Sequence, residues 1–195
     1  MMKLKEIISG HLEQSARVKR LVAESCIASI TKAIDLIEHA FRNGNKLLIC
    51  GNGGSAADSQ HMAAEFTSRL TKDFDRPSLP ALSLSTDTSF LTAFANDCGY
   101  DGVFARQIEG LGKSGDVLLG ITTSGGSKNI LLAIEQSQKM GISVIALTGK
   151  DGLRSGSADT VIAVPSGDTQ FIQESHLSIE HIICAQVEQR LYGKA

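Results

Sequence analysis

No stretch of this chain is apolar for the roughly 20 residues that a bilayer-spanning helix requires, so no membrane span is expected. Nor is there an excess of one charge: 19 Lys and Arg stand against 21 Asp and Glu, a net charge of −2. A basic field that would hold nucleic acid or an anionic membrane is therefore missing, and an anionic ligand has to be caught locally, by loops and helix ends. The four cysteines, Cys26, Cys50, Cys98 and Cys184, lie far apart and form no C-x-x-C. That speaks against a zinc ribbon or a disulfide frame, and all four read as buried, reduced thiols of a cytoplasmic protein. The N-terminus is polar and periodic from the start (Lys3, Lys5, Glu6, Glu13, Arg17), unlike a signal peptide. Internal repeats, linkers and low-complexity segments are also lacking. What is there is 195 residues, 42% hydrophobic and 21% charged, which suits one domain over 1–195 with a core of its own.

From Leu4 to about Phe41 the chain has no Pro and one Gly, and its pattern is helical. Ile7, Ile8, Leu12, Val18, Leu21 and Val22 make one apolar stripe; Ile27, Ile30, Ile34, Ile37 and Phe41 make a second. Two helices over 1–43, ahead of the first strand, predict contacts with copies of the same chain; covering one face of a sheet would give the same pattern. After Asn43-Gly44-Asn45 comes Lys46–Cys50, a short continuous apolar run that reads as a strand buried on both faces. The pattern returns at Ala81–Leu84, Val117–Ile121, Val144–Leu147 and Val161–Val164. Helical stretches lie between, at Ala56–Leu70, Ser89–Asn96, Val103–Leu111 and Asn129–Met140, and a last one spans about Gln170–Leu191. Strands alternating with helices predict an α/β fold, a doubly wound five-stranded parallel sheet, with ligands at the carboxyl ends of its strands.

Two loops sit at those ends. Gly51-Asn52-Gly53-Gly54-Ser55 follows the first strand and leads into a helix, so bare backbone N–H groups and a positive helix end face whatever binds. It has no lysine, which excludes a Walker A loop. Gly51, Gly53 and Ala56 do fit G-x-G-x-x-A, the dinucleotide fingerprint, but that site needs an acid at a strand end about 20 residues on. The acids near that distance, Asp73 and Asp75, lie in a polar connection before Pro77. The second loop, Thr122-Thr123-Ser124-Gly125-Gly126-Ser127, puts four hydroxyls and two glycines at a helix N-terminus, more than ordinary capping needs. Two such loops at one end of a sheet suit a small polyol phosphate.

Chemistry needs more than loops. His61 and Glu65 stand at i, i+4 on one helix face, able to ligate one metal or to act as acid and base, though an exposed pair on a solvated helix has the same spacing. The last helix carries Gln173, Glu174, His176, Glu180 and His181. Gln173 and His181 are eight residues apart, about 12 Å along a helix axis, so spacing alone does not make them one site.

The pair C-G-N-G-G-S and T-T-S-G-G-S resembles the SIS (sugar isomerase) family. Within it, Gly51–Glu65, Ala95–Asp97, Gly115–Ile121, Ala146–Gly152, Ile172–His176 and His181 are similar to the sedoheptulose 7-phosphate (phosphoheptose) isomerases. The resemblance runs nearly end to end. It implies a cytoplasmic homotetrameric enzyme that turns sedoheptulose 7-phosphate into a heptose 7-phosphate through an enediol, with no nucleic-acid or membrane partner. It also implies one zinc per subunit on His61, Glu65, Gln173 and His181, with Glu65 and His181 as the proton-transfer pair. Asn52, Gly53, Gly54, Ser55, Asn96, Asp97, Glu65 and Gln173 would contact the sugar, and Thr122, Thr123, Ser124 and Ser127 the phosphate. A saturated zinc ligand is no free acid, so either the metal acts as the electrophile or it leaves or shifts in turnover. His176 is expected to be packed, and Arg69, one turn past Glu65, to be an extra substrate contact. Some relatives have an acid at the position of Gln170, for which Asp168 is a candidate replacement. The rival within the family is a non-catalytic regulator of replication initiation that binds a protein partner, and the presence of Glu65 and His181 favours the enzyme.

Overall fold

A computed structural model of the chain describes residues 3–72 and 75–193. Two helices, α1 (Leu4–Ser25) and α2 (Ile27–Arg42), precede β1 (Leu47–Cys50) and α3 (Gly54–Thr67). Then follow β2 (Ala81–Ser83), α4 (Thr88–Cys98), a 3-10 turn at Tyr100–Gly102 and α5 (Val103–Leu111). The chain ends with β3 (Val117–Thr122), α6 (Lys128–Lys139), β4 (Ser143–Thr148), β5 (Thr160–Ala163) and α7 (Thr169–Tyr192). The five strands form one sheet in the order β2-β1-β3-β4-β5 with every pair parallel, the doubly wound arrangement expected. In this order the chain reverses direction across the sheet between β1 and β3, so the loops after these two strands stand side by side.

The apolar runs form strands because both sheet faces are covered. Along β3, Val117, Leu119 and Ile121 join a core with α1, α2, α3 and α7, while Leu118 joins a second core with α5 and α6. Gly120 takes its turn on that second face, where a Cβ would lie 3.1 Å from Ile130. At the other end of the strands Asp116 is fully buried and accepts from Lys46 Nζ at 2.6 Å, Lys46 N at 2.9 Å and Lys113 N at 2.9 Å. One carboxylate thus ties β1 to β3 and satisfies three donors.

The N-terminal helices divide their work. Ile30, Ile34 and Ile37 of α2 are buried against the sheet. Helix α1 packs on α7, where Ser15 and His11 reach Glu174. Its first turns, Leu4, Ile7, Ile8 and Leu12, remain exposed.

Two expectations are corrected. Cys26, Cys50 and Cys184 are buried, but Cys98 is exposed because α4 turns only its Phe90, Leu91, Phe94 and Ala95 face inward. Helix α3 stops at Thr67, short of Leu70, because Arg76 and Leu79 N take up the carbonyls of Glu65 and Phe66. Arg69 is therefore off the helix and exposed, and no bond links it to the site among the described residues. Of the two acids weighed for a dinucleotide, Asp75 lies in an irregular connection and Asp73 lies outside the described residues.

Candidate active site

The first loop is shaped by what its glycines must admit. A Cβ on Gly51 would lie 2.4 Å from the Ser55 carbonyl oxygen, and Gly53 has φ +58. Helix α3 thus starts at once, with Ser55 N donating to Asn52 O at 3.1 Å and Ala56 N to Gly53 O at 3.0 Å. A Cβ on Gly54 would lie 2.6 Å from Gln173 Nε2, so the bare backbone here is what lets α7 close on the loop. Asn52 is held by a reciprocal amide pair: its Nδ2 donates to Asn129 Oδ1 at 2.9 Å, and Asn129 Nδ2 donates back at 2.8 Å. Asn129 is buried in the first turn of α6 and joins the two loops. Nothing in the sequence marks it, since one Asn before Ile130-Leu131-Leu132 reads as an exposed helix start.

Helices α3 and α7 bring three of the four expected ligands together. His61 Nε2 and His181 Nε2 are 2.9 Å apart, and Glu65 Oε1 is 3.6 Å from His61 Nε2. The Glu65 side chain is 18% exposed and that of His61 42%, so the carboxylate is sheltered yet open to a small ligand. Gln173 stands apart, at the loop end of α3, while His181 meets its second turn. Among the described residues no three of His, Cys, Asp and Glu close into a cage for a cation. As placed, the imidazoles and Glu65 form a polar cluster. Its two imidazole nitrogens and carboxylate are nonetheless donors of the kind that zinc takes.

Beneath this cluster lie two acids with no partner for three of their oxygens. Glu180 is fully buried with both carboxyl oxygens unpaired, and Asp58 Oδ2 is unpaired as well. Burial and, after it, the neighbouring Asp58 push Glu180 up to about 8. Burial raises Asp58 too, against the pull of His61. His176 is packed, as expected: fully buried, it donates from Nε2 to Thr148 O at 3.0 Å, and burial lowers it to about 4. It is therefore a neutral strut between α7 and β4.

In the second loop Thr122 Oγ1 and Ser127 Oγ are 3.0 Å apart, and Ser124 Oγ accepts from Gly126 N at 3.3 Å. The glycines also make room for a neighbouring loop. Gly125, at φ +65, is buried, and a Cβ there would lie 1.8 Å from Gly152 O. They let the β4–β5 loop fold over this one. Asn96 Nδ2 donates to Asp97 Oδ1 at 2.9 Å, both exposed on α4, and no bond joins them to the first loop among the described residues. Asp168 is engaged as the N-cap of α7, accepting from Gln170 N at 3.0 Å.

Known proteins place this geometry. Residues 11–149 match the family model of the SIS domain. The chain is 46% identical over 193 residues to the phosphoheptose isomerase of Sulfurimonas denitrificans, covering 97% of this chain and 98% of that one. It is 48% identical over 197 residues to phosphoheptose isomerase 2 of Campylobacter jejuni, covering 100% and 97%. The solved structure of a phosphoheptose isomerase from Neisseria gonorrhoeae superposes with a TM-score of 0.89 at 39% identity, covering 96% of this chain and 100% of that one. With its sheet order, its two loops and this likeness over its whole length, the chain belongs to the SIS family and, within it, to the phosphoheptose isomerases.

Proposed function

We propose that the chain interconverts D-sedoheptulose 7-phosphate and D-glycero-D-manno-heptose 7-phosphate, opening the synthesis of activated heptose for bacterial surface polysaccharide. The observation that carries this reading is the meeting of Glu65, His61 and His181 beside the first loop. Thr122, Thr123, Ser124 and Ser127 hold the phosphate. Asn52, fixed by Asn129, orients the sugar with Gly53, Gly54, Ser55 and Gln173, and Asn96 and Asp97 add further contacts. Glu65 takes a proton from C1 of the ketose as the C1–C2 double bond forms, and returns it to C2 of the enediol. His181 moves the second proton, from O1 to O2. The net change is one hydrogen moved between carbons and one between oxygens, with nothing consumed.

His61, Glu65, Gln173 and His181 would hold one zinc per subunit. When bound, zinc supplies Lewis-acid polarisation of the C2 carbonyl. The exposed Leu4, Ile7, Ile8 and Leu12 of α1 support assembly with copies of the same chain, and we read the assembly as a homotetramer. Four free cysteines, and no helix among the described residues long and apolar enough to cross a membrane, support a cytoplasmic site of action.

The test is to incubate the protein with sedoheptulose 7-phosphate and follow heptose phosphate by NMR, with and without chelator. Turnover is expected, falling on chelation and returning with zinc, and lost by about 10²–10⁴-fold in Glu65→Gln. No turnover under any condition, or full turnover in Glu65→Gln, overturns the reading.

A further inference from the structure

We propose that Lys150 and Arg154, on the loop between β4 and β5, supply the positive charge that holds the substrate phosphate on the second loop. The inference rests on the isomerase reading above. A phosphate monoester carries about −1.5 to −2 charges at neutral pH. The second loop meets it with hydroxyls and backbone N–H groups only, and Glu65 and Asp97 add negative charge to the expected site. Lys128, beside the loop, is engaged with Asp101 at 2.7 Å. A neutral cradle in an acidic surrounding needs cations from elsewhere.

The β4–β5 loop is built to bring them. Gly149 N donates to Thr123 O at 3.1 Å, and Arg154 N donates to Gly125 O at 2.9 Å. The positive φ of Gly125 lets Gly152 approach, and Gly126 lacks a side chain where Arg154 Cδ passes, 2.8 Å from where a Cβ would be. A cavity of ≈ 180 Å³ lies where the two loops meet the start of α7. Thr123, Ser124, Lys150 and Arg154 all line it, with Asp151 and Thr169. Among the described residues neither Lys150 nor Arg154 has an ion-pair partner, although Asp151 lies on the same cavity. Two cations without an ion-pair partner on the same cavity as two hydroxyls of the expected phosphate loop suit a dianion. Arg154 offers a planar fork to two phosphate oxygens, and Lys150 a mobile point charge.

The experiment uses the full chain and the variants Lys150→Met, Arg154→Met and the double variant, with sedoheptulose 7-phosphate as substrate and inorganic phosphate as competitive inhibitor. Each single variant is expected to raise KM and the phosphate Ki about fivefold to tenfold, and the double variant about thirtyfold or more, with kcat falling less than KM rises. Lys150→Arg should recover most of its loss and Arg154→Lys only part, since Lys keeps the charge without the fork, and an unchanged thermal midpoint shows that the fold is intact. The wild-type KM should also climb with salt more steeply than that of the double variant. A double variant with KM and Ki within twofold of wild type overturns the inference. If the wild type itself turns nothing over, the isomerase reading has failed instead. Inorganic phosphate binding by calorimetry then decides this inference alone: weaker binding in the double variant upholds it, and equal binding overturns it.

Discussion

Replacing Arg76 by Met should unfold the molecule far more easily and slow catalysis, although Arg76 touches no expected substrate. Its side chain is 0% exposed and pairs with Glu188, itself 1% exposed. From there it donates to Glu65 O at 2.9 Å, Phe66 O at 2.8 Å and Pro77 O at 3.0 Å. Met fills much of the volume but leaves Glu188 buried with one weak donor, Leu70 N at 3.3 Å. Breaking a buried pair in this way costs about 3–5 kcal/mol. For a chain of this size each kcal/mol moves the thermal midpoint by about 2–4 °C, so a fall of about 6–20 °C is expected by calorimetry. The pair Arg76→Met with Glu188→Leu should recover much of it, since an apolar replacement of both partners removes the stranded charge. At a temperature where Arg76→Met is still folded, kcat should fall, because the carbonyls of Glu65 and Phe66 lose the clamp that sets the end of α3. A loss below about 1 kcal/mol, or a double variant no better than the single one, would refute the reasoning.

Glu180→Gln tests the buried acids. Folding raises Glu180 from the ordinary 4.5 to about 8, so the folded chain keeps a proton that the unfolded chain releases. Its contribution to stability is full below about pH 4.5 and is lost as pH rises toward about 8. The variant should therefore gain thermal midpoint at pH 9 relative to wild type and little at pH 5; an equal shift at both would remove the cause given. Gly125→Ala forces a Cβ into Gly152 O at a φ of +65 and should cost about 2–5 kcal/mol, whereas Gly44→Ala, at φ +71 with nothing within 4 Å, should cost about 1–2. Urea melts of the two variants decide it, and comparable losses would show that the loop contact carries no weight. Asn129→Leu frees Asn52 and should lower kcat/KM about tenfold or more; unchanged kinetics would mean that Asn52 needs no holder.

The fold was legible because its signals are local. Val117–Ile121 reads as a strand from its composition, and the strand found there runs to Thr122, one residue further. The two loops were legible for the same reason. What the sequence hides is set by partners far along the chain. His61 meets His181 across 120 positions, and Asn52 meets Asn129 across 77. No spacing rule reaches that far; His181 was placed by family likeness, and Asn129 was not placed at all. Arg69 was expected on the catalytic face because helical periodicity continues past Thr67. Arg76, farther on, ends the helix by taking its carbonyls. The glycines of the second loop suggested bare N–H groups for a ligand; that both also make room for another loop only the tertiary structure reveals.

The site depends on how α3 and α7 lie together more than on the sheet below them. They run side by side in the same direction, meeting at Gly54 and Gln173, at His61 and His181, and at the far end through Arg76, which joins Phe66 O to Glu188. The first intervals match: seven residues along α3 from Gly54 to His61 against eight along α7 from Gln173 to His181. With about 1.5 Å of rise per residue, the first two contacts are about 11–12 Å apart on either helix. A shift of α7 by one turn, about 5.4 Å, would carry His181 away from His61 and Gln173 away from Gly54 together. The bare backbone at Gly54 and the buried Arg76–Glu188 pair oppose that shift from opposite ends. Glu65 lies between them, one turn beyond His61, so its distance to a bound sugar is fixed by two contacts that themselves touch no reacting atom.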